Sequence, residues 1–330
     1  MDKRSYFTYH WDMFGFLIKK NFYDLWDNMF RIILINLGFI LSMAVPLLLP
    51  GLLSDDLRLS FPAVPGTQPA AESDGISNNE HYNSPVEEAI IADAGGASPA
   101  SAEEPVKISF RTVLSFIIMG LGLLWCFIYL STAALTVKSI SDYGSFGFSD
   151  FIKNLKAGWP AGLTMGLAVF LLYLMIKENG IIQFYLSMDS MLGLFLAAVI
   201  FWTMVIALLS LQFFFTIRAR LDTKLRKVFK KSFIIFFDNP GFAIFIFLNS
   251  VVSLVLSAFF ALLIPGPAGM LLFTDEALRL RLMKYDWLEA NPESVPSKKR
   301  RKIPWDAILI EEREKTGNRS FKSFIFPWKD

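Results

Sequence analysis

The chain has 330 residues, of which 54% are hydrophobic and only 19% charged, whereas a soluble domain carries about 25% charged residues. That excess of apolar residues excludes an ordinary water-soluble fold, and a single cysteine, Cys126, excludes an intramolecular disulfide and any Cys-rich metal site. The formal net charge of +2 is a balance between separated acidic and basic segments.

The apolar residues gather in blocks of about 20, the length that crosses a hydrocarbon core about 30 Å thick. Many of the 33 Phe and 8 Trp lie at block edges, where aromatic rings favour the headgroup region. The fold class expected is therefore all-α: a polytopic transmembrane bundle of five spans plus a short sixth return helix, with interfacial amphipathic helices.

Residues 1–28 carry mixed charges rather than the basic start and apolar run of a cleavable signal peptide, so this segment is expected to stay on the protein. Within it Phe14, Leu17, Ile18, Phe22, Leu25 and Met29 recur at helical spacing, with Lys19, Lys20, Asp24 and Asp27 largely off the stripe. That pattern predicts a helix lying in the membrane surface. The first span follows from Phe30 to Leu49, interrupted by Pro46 and closed by Pro50-Gly51.

Residues 54–107 form a different kind of sequence, dense in Pro, Ala, Ser, Gly and Asn, with ten acidic residues against only Arg58 and Lys107. Such a composition cannot bury enough apolar surface to fold alone. It reads as an acidic disordered linker between residues 1–53, the interfacial helix and first span, and residues 108–290, the helical membrane domain. Residues 291–330 read as a basic polar tail, with the run Lys298-Lys299-Arg300-Arg301-Lys302.

The second span runs from about Val113 to Val137, before a turn containing Gly144 and Gly147. Ser149 to Lys156 reads as a short amphipathic segment hugging the membrane. The third span, roughly Trp159 to Ile176, contains Gly158, Gly162 and Gly166 at or near its start, a doubled G-x-x-x-G that lets another helix approach closely. The bland alternative is that glycine is simply common in membrane helices.

A fourth span from Ser190 to Ile217 is 28 residues long and must tilt or protrude. Next come Arg218, Arg220, Lys224, Arg226, Lys227, Lys230 and Lys231, with Asp222 the only acid. Leu225, Val228, Phe229, Ser232, Phe233 and Phe236 recur at helical spacing among them, so a cationic amphipathic helix is expected, ended by Asn239-Pro240. The seven basic residues are candidate contacts for anionic lipid or a protein partner. The fifth span is Phe242 to Ile264, and after Pro265-Gly266-Pro267 only Met270 to Phe273 is continuously apolar before Asp275, Glu276, Arg279 and Arg281.

The excess of Lys and Arg on cytoplasmic loops sets topology. Placing the N-terminus in the cytoplasm puts the acidic linker outside, Lys138, Lys153 and Lys156 inside, the 177–189 loop outside and the 218–231 cluster inside. A Pro-initiated return helix then brings the basic tail back in. The expected location is the bacterial inner (cytoplasmic) membrane.

No phosphate-binding G-x-x-x-x-G-K-[ST] loop is present, and the only histidines are His10 and His81, both in polar segments. The acid, base and metal constellations of a membrane enzyme are not found, so neither an enzymatic activity nor a cofactor is expected. Nucleic acid is not an expected partner; membrane lipids and transporter permease or ATPase subunits are. Spans one to five lack Asp, Glu and His in their interiors, which weighs against a proton-coupled pathway. They do contain amides and hydroxyls, among them Asn36, Asn249 and Ser253, a candidate polar patch between spans one and five. Interhelical hydrogen bonding is the plainer reading of these groups and substrate binding the sharper one.

Three stretches carry a family likeness: Val45-Pro46 to Gly51 at the end of the first span, Ser131-Thr132-Ala133-Ala134-Leu135 leading to Lys138, and Asp150-Phe151 to Lys156 before the third span. Together they resemble the YesL-like family of bacterial integral membrane proteins, a domain of unknown function. In that family the first two stretches are nearly contiguous, whereas here the acidic linker and a lengthened second span intervene. Members are often encoded beside carbohydrate uptake systems. The resemblance thus implies an accessory or permease-like role in carbohydrate transport, and the alternative class is an anionic-lipid-interacting scaffold or assembly protein without transport activity.

Overall fold

The computed structural model describes residues 5–53, 110–145, 147–176, 181–188, 190–291 and 303–317. The 54–107 linker, the 298–302 basic run and His81 lie outside them. The described residues form twelve helices: α1 (Ser5–Asp27), α2 (Met29–Leu53), α3 (Phe110–Ser141), α4 (Phe148–Ile176), α5 (Ile181–Leu186), α6 (Met191–Leu211), α7 (Phe214–Arg220), α8 (Leu225–Asp238), α9 (Pro240–Phe259), α10 (Gly266–Ala290), α11 (Trp305–Ile308) and α12 (Ile310–Thr316).

Five stretches are long and apolar enough to cross a bilayer: 29–48, 113–141, 148–173, 191–220 and 240–259. Their outward faces carry exposed Leu34, Leu41, Leu167, Phe195, Trp202 and Val255, which suits lipid rather than water. The chain is a multi-pass membrane protein with an all-α bundle fold.

The tightest seam joins α3 to α4. A Cβ added to Gly162 would stand 2.3 Å from Ile128 Cα, one on Gly158 would touch Ser131 and Thr132, and one on Gly166 would touch Leu124 and Phe127. Backbones at that separation leave no room for a side chain on α4, and dispersion contacts and polar bonds hold the two helices together. Ser131 Oγ donates to the Gly158 carbonyl at 2.9 Å and Asn154 Nδ2 to Thr136 Oγ1 at 3.1 Å.

Residues 149–156 are not a separate surface segment. They are the first turns of α4, which runs through Pro160 without a break. Proline removes one ladder hydrogen bond, and carbonyls near it take donors from elsewhere: Gly158 from Ser131, and Ala157 from Arg218 Nη2 at 3.2 Å. The long fourth span is accommodated by a bend at Gln212, between α6 and α7, where Gln212 Nε2 donates to the carbonyls of Leu209 and of Ala243 on α9.

α9 and α10 form an antiparallel pair. At one end the Gly266 amide donates to Ser257 Oγ at 2.8 Å. At the other, Arg281 lies over the Phe242 ring, 4.1 Å from its centroid, and Tyr285 donates to Asp238. α10 stands where the return helix was expected, but it has 25 residues rather than a short run and is not among the five stretches apolar enough to cross a bilayer. Asp275, Glu276 and Arg281 are buried along it beside Leu272, Phe273 and Leu278. It delivers the chain to α11 and α12 at the same end of the bundle as α1, where Trp305 and Leu309 join a core with Met13, Leu17 and Leu280.

Candidate functional site: a charged junction at the α1 end

Helix α1 packs a partly polar face into this junction. Its buried stripe is Met13, Phe16, Leu17, Lys20, Asn21, Tyr23 and Asp24, while Ile18 and Trp26 are exposed. The reason is α10, which presents the Glu276 carboxyl to Lys20 in the second half of α1 and makes a polar face there the buried one.

Two linked clusters result. In the first, the Lys20 ammonium donates to Asp24 one turn along α1 and lies 3.6 Å from Glu276 Oε1 of α10. Lys20 is 1% and Glu276 0% exposed. Burial pulls the Lys20 ammonium down, but the facing Glu276 and Asp24 carboxylates outweigh it and raise the net value. Burial drives the Glu276 carboxyl well above the ordinary range, against the pull of Lys20 and with a further push from Asp24.

In the second cluster, Arg220 at the end of α7 makes a two-point contact with Asp275, Nε to Oδ1 at 2.7 Å and Nη2 to Oδ2. It also reaches Asp142 Oδ1 at 3.0 Å and Ser141 Oγ at 2.9 Å. Arg279 donates to the Ser141 carbonyl and to Glu312 Oε1 of α12 at 2.6 Å, and lies 3.4 Å from Asp142. Such planar bidentate pairs are the strongest ionic contacts available to a protein.

Tyr143 joins the clusters. It follows α3 with φ 58°, a left-handed conformation that costs a bulky side chain roughly 1–2 kcal/mol. That geometry puts its ring 4.5 Å from Lys20 Nζ and its hydroxyl 3.0 Å from Glu312 Oε2 as donor. A cavity of about 200 Å³ lies beside it, lined by Tyr23, Asp24, Arg31, Tyr143, Lys315 and Thr316 among others.

The basic stretch after the fourth span divides. Lys224, Arg226, Lys227 and Lys230 are exposed on α8, whose inner face buries Val228, Ser232, Ile235 and Phe236. Lys231 pairs with Asp222 at 3.3 Å, Arg218 is drawn to the Ala157 carbonyl, and Arg220 belongs to the buried junction rather than to a surface patch. Asn36 is fully buried, and its partners are in the turn between α9 and α10. Its Nδ2 donates to the Leu263 and Pro265 carbonyls, both at 2.8 Å, and its Oδ1 accepts from the Ala268 amide at 2.9 Å. Gly266, at φ +61°, is fixed by this contact, since a Cβ there would stand 2.3 Å from Asn36 Nδ2. Asn249 and Ser253 are half-buried on α9, and the Ser253 carbonyl accepts from Ser257 Oγ.

Among the described residues no group of His, Cys, Asp and Glu is arranged to hold a metal ion. What the junction can do is fasten: it ties α1, α3, α7, α10 and α12 together through ionised groups that must stay paired. Sequence reasoning missed Lys20, Asp24, Asp142 and Glu312 as members. The available signal was the i,i+4 pair Lys20 and Asp24 preceding a span, together with Asp275, Glu276, Arg279 and Arg281 following the apolar Met270 to Phe273. No family model, no curated protein and no solved structure matches the chain.

Proposed function

We propose that this protein is an accessory or permease-like component associated with carbohydrate transport in the bacterial inner membrane, with its N-terminus in the cytoplasm. The observation that supports this reading is the packed end of the bundle, where α1, α10 and α12 are joined to one another and to the end of the fourth span by buried charged contacts. An assembly of that kind offers a partner a fixed water-facing surface rather than loose loops, the property an accessory subunit needs to dock a permease or an ATPase. The carbohydrate class comes from the resemblance to YesL-like proteins. A thiol crosslinker placed by Lys227→Cys in a Cys126→Ala background, used in native membranes, is expected to capture a permease or ATPase subunit. Adducts without any such subunit, together with unchanged carbohydrate uptake in cells lacking the protein, would overturn the proposal.

The second reading, an anionic-lipid-interacting scaffold, is favoured by one observation: Lys224, Arg226, Lys227 and Lys230 all stand exposed on α8. Basic residues near an anionic surface contribute about 1 kcal/mol each. This reading expects anionic lipid to raise the melting temperature of the detergent-solubilised protein, and replacement of the four by Gln to abolish that rise. An equal rise in both proteins would dismiss it.

A further inference from the structure

The Lys20, Asp24 and Glu276 group contains one ammonium and two carboxyls. Lys20 is 1%, Asp24 7% and Glu276 0% exposed. Fully ionised, the group would carry a net negative charge with Glu276 wholly buried, which is unfavourable in a low-dielectric environment. Lys20 is committed to Asp24 by a direct hydrogen bond and stands off at 3.6 Å from Glu276. Neither Glu276 carboxyl oxygen accepts a well-formed hydrogen bond, and the facing Asn21 Nδ2 approaches without closing one. Buried acceptors of this kind call for a bound proton or an equivalent donor.

We propose that Asp24 and Glu276 hold one exchangeable proton between them at neutral pH, with the proton on Glu276 and the Lys20 ammonium balancing Asp24. Three observations carry this. Charge neutrality requires one more positive charge than Lys20 supplies. The Glu276 oxygens lack a well-formed hydrogen bond, while Asp275 and Asp142 accept from Arg220, and Glu312 from Arg279 and Tyr143. Asp24 also lines the cavity of about 200 Å³, which gives the pair a route for exchange. A hydronium ion in that cavity gives its proton to Asp24 and leaves as water, the new O–H bond breaks as the proton passes on to Glu276, and Lys20 keeps its three protons throughout.

Among the described residues, the charged and titratable groups around the pair are Lys20, Tyr23 and Asp27 on α1, Arg31 on α2, Tyr143 after α3, Arg279 on α10, and Glu312 and Lys315 on α12. Arg279 is engaged by Glu312 and Asp142, and Arg31 by Asn28. Lys315 lies 5.7 Å from the Tyr143 ring centroid. Of the cations described, Lys20 is the one in ion-pair reach of Glu276. The site is independent of the transport reading, and a proton is its ligand under either function.

Infrared difference spectroscopy on the full chain in lipid vesicles tests the assignment through the carbonyl band of a protonated, buried carboxyl group. The wild type is expected to show that band at neutral pH, sensitive to deuterium exchange and lost at high pH. Asp24→Asn is expected to remove it, because Lys20 and an ionised Glu276 then balance, and Glu276→Gln is expected to remove it as well. Asp150→Asn, at a half-exposed carboxylate outside the junction, is expected to leave it in place. Absence of the band in the wild type, its survival in Asp24→Asn, or its loss in Asp150→Asn would overturn the proposal. Should Glu276→Gln fail to fold, the Asp24→Asn result decides alone, since that variant keeps Glu276 and the site neutral.

Discussion

Arg220 and Asp275 are 55 residues apart in the chain and meet through two hydrogen bonds, with 9% and 1% of their side chains exposed. Breaking a buried pair by removing one partner leaves an uncompensated charge and costs roughly 3–5 kcal/mol. Asp275→Asn and Arg220→Gln are each expected to lower the thermal unfolding midpoint sharply in the same lipid, and the double variant less than the sum of the two. Additive losses in a double-mutant cycle would show that the two residues do not act as a pair.

Asn36 is expected to matter more than Asn249. Asn36→Ala strips donors from two carbonyls and an acceptor from one amide in the turn before α10, and a buried polar group left unsatisfied costs about 1–3 kcal/mol. Asn249→Ala, at a half-buried position on α9, is expected to stay within about 0.5 kcal/mol of the parent. Denaturant titration of both variants checks the ranking, and a larger loss for Asn249→Ala would reverse it.

The seam between α3 and α4 gives a steric prediction. Gly162→Ala places a methyl against the Ile128 backbone at 2.3 Å, which forces the helices apart at a cost of roughly 1–3 kcal/mol. Gly15→Ala and Gly241→Ala meet nothing within 4 Å and should be neutral or gain up to about 1 kcal/mol. If Gly162→Ala melts with the other two, α4 does not approach α3 as closely as described.

The pH dependence of stability follows from Glu276 and Lys20. A carboxyl whose folded value is raised contributes stability that is present below its ordinary value of 4.5 and is lost as pH rises through the raised one. Lys20, also raised, behaves the same way at the alkaline end, its contribution being lost as pH climbs through its elevated folded value. Melting temperature is therefore expected to fall as pH rises from mildly acidic values, and Glu276→Gln to flatten the first part of that fall. An unchanged slope in Glu276→Gln would assign the dependence to other groups.

The spans were legible in the sequence because crossing a bilayer needs only length and apolarity, which are local properties; hydropathy alone places 29–48, 191–220 and 240–259. The charged junction was not, because its pairs are made between residues far apart in sequence, such as Lys20 with Glu276 and Arg279 with Glu312. On α1 the apolar stripe did not announce the second, partly polar face that packs against α10. Periodicity reports apolar burial, and Lys20 and Asp24 are buried by charge pairing instead. The glycine spacing on α4 identified a face but not its partner, and Asn36 announced a buried amide without saying that it holds a turn 227 residues away. Gln212 marked the bend between α6 and α7 only as a lone amide in an apolar run.

Both ends of the described chain meet at one face of the bundle, and the central proposal is that this face is the cytoplasmic one. Tyr143 and Arg279 bind Glu312 there, so the segment after α10 lies on the same side as α1. Paired reporters fused after Asp330, one fluorescent only in the cytoplasm and one active only outside it, test this directly. The account predicts a fluorescent cytoplasmic reporter and an inactive external one, and an active external reporter with a dark cytoplasmic one would contradict it.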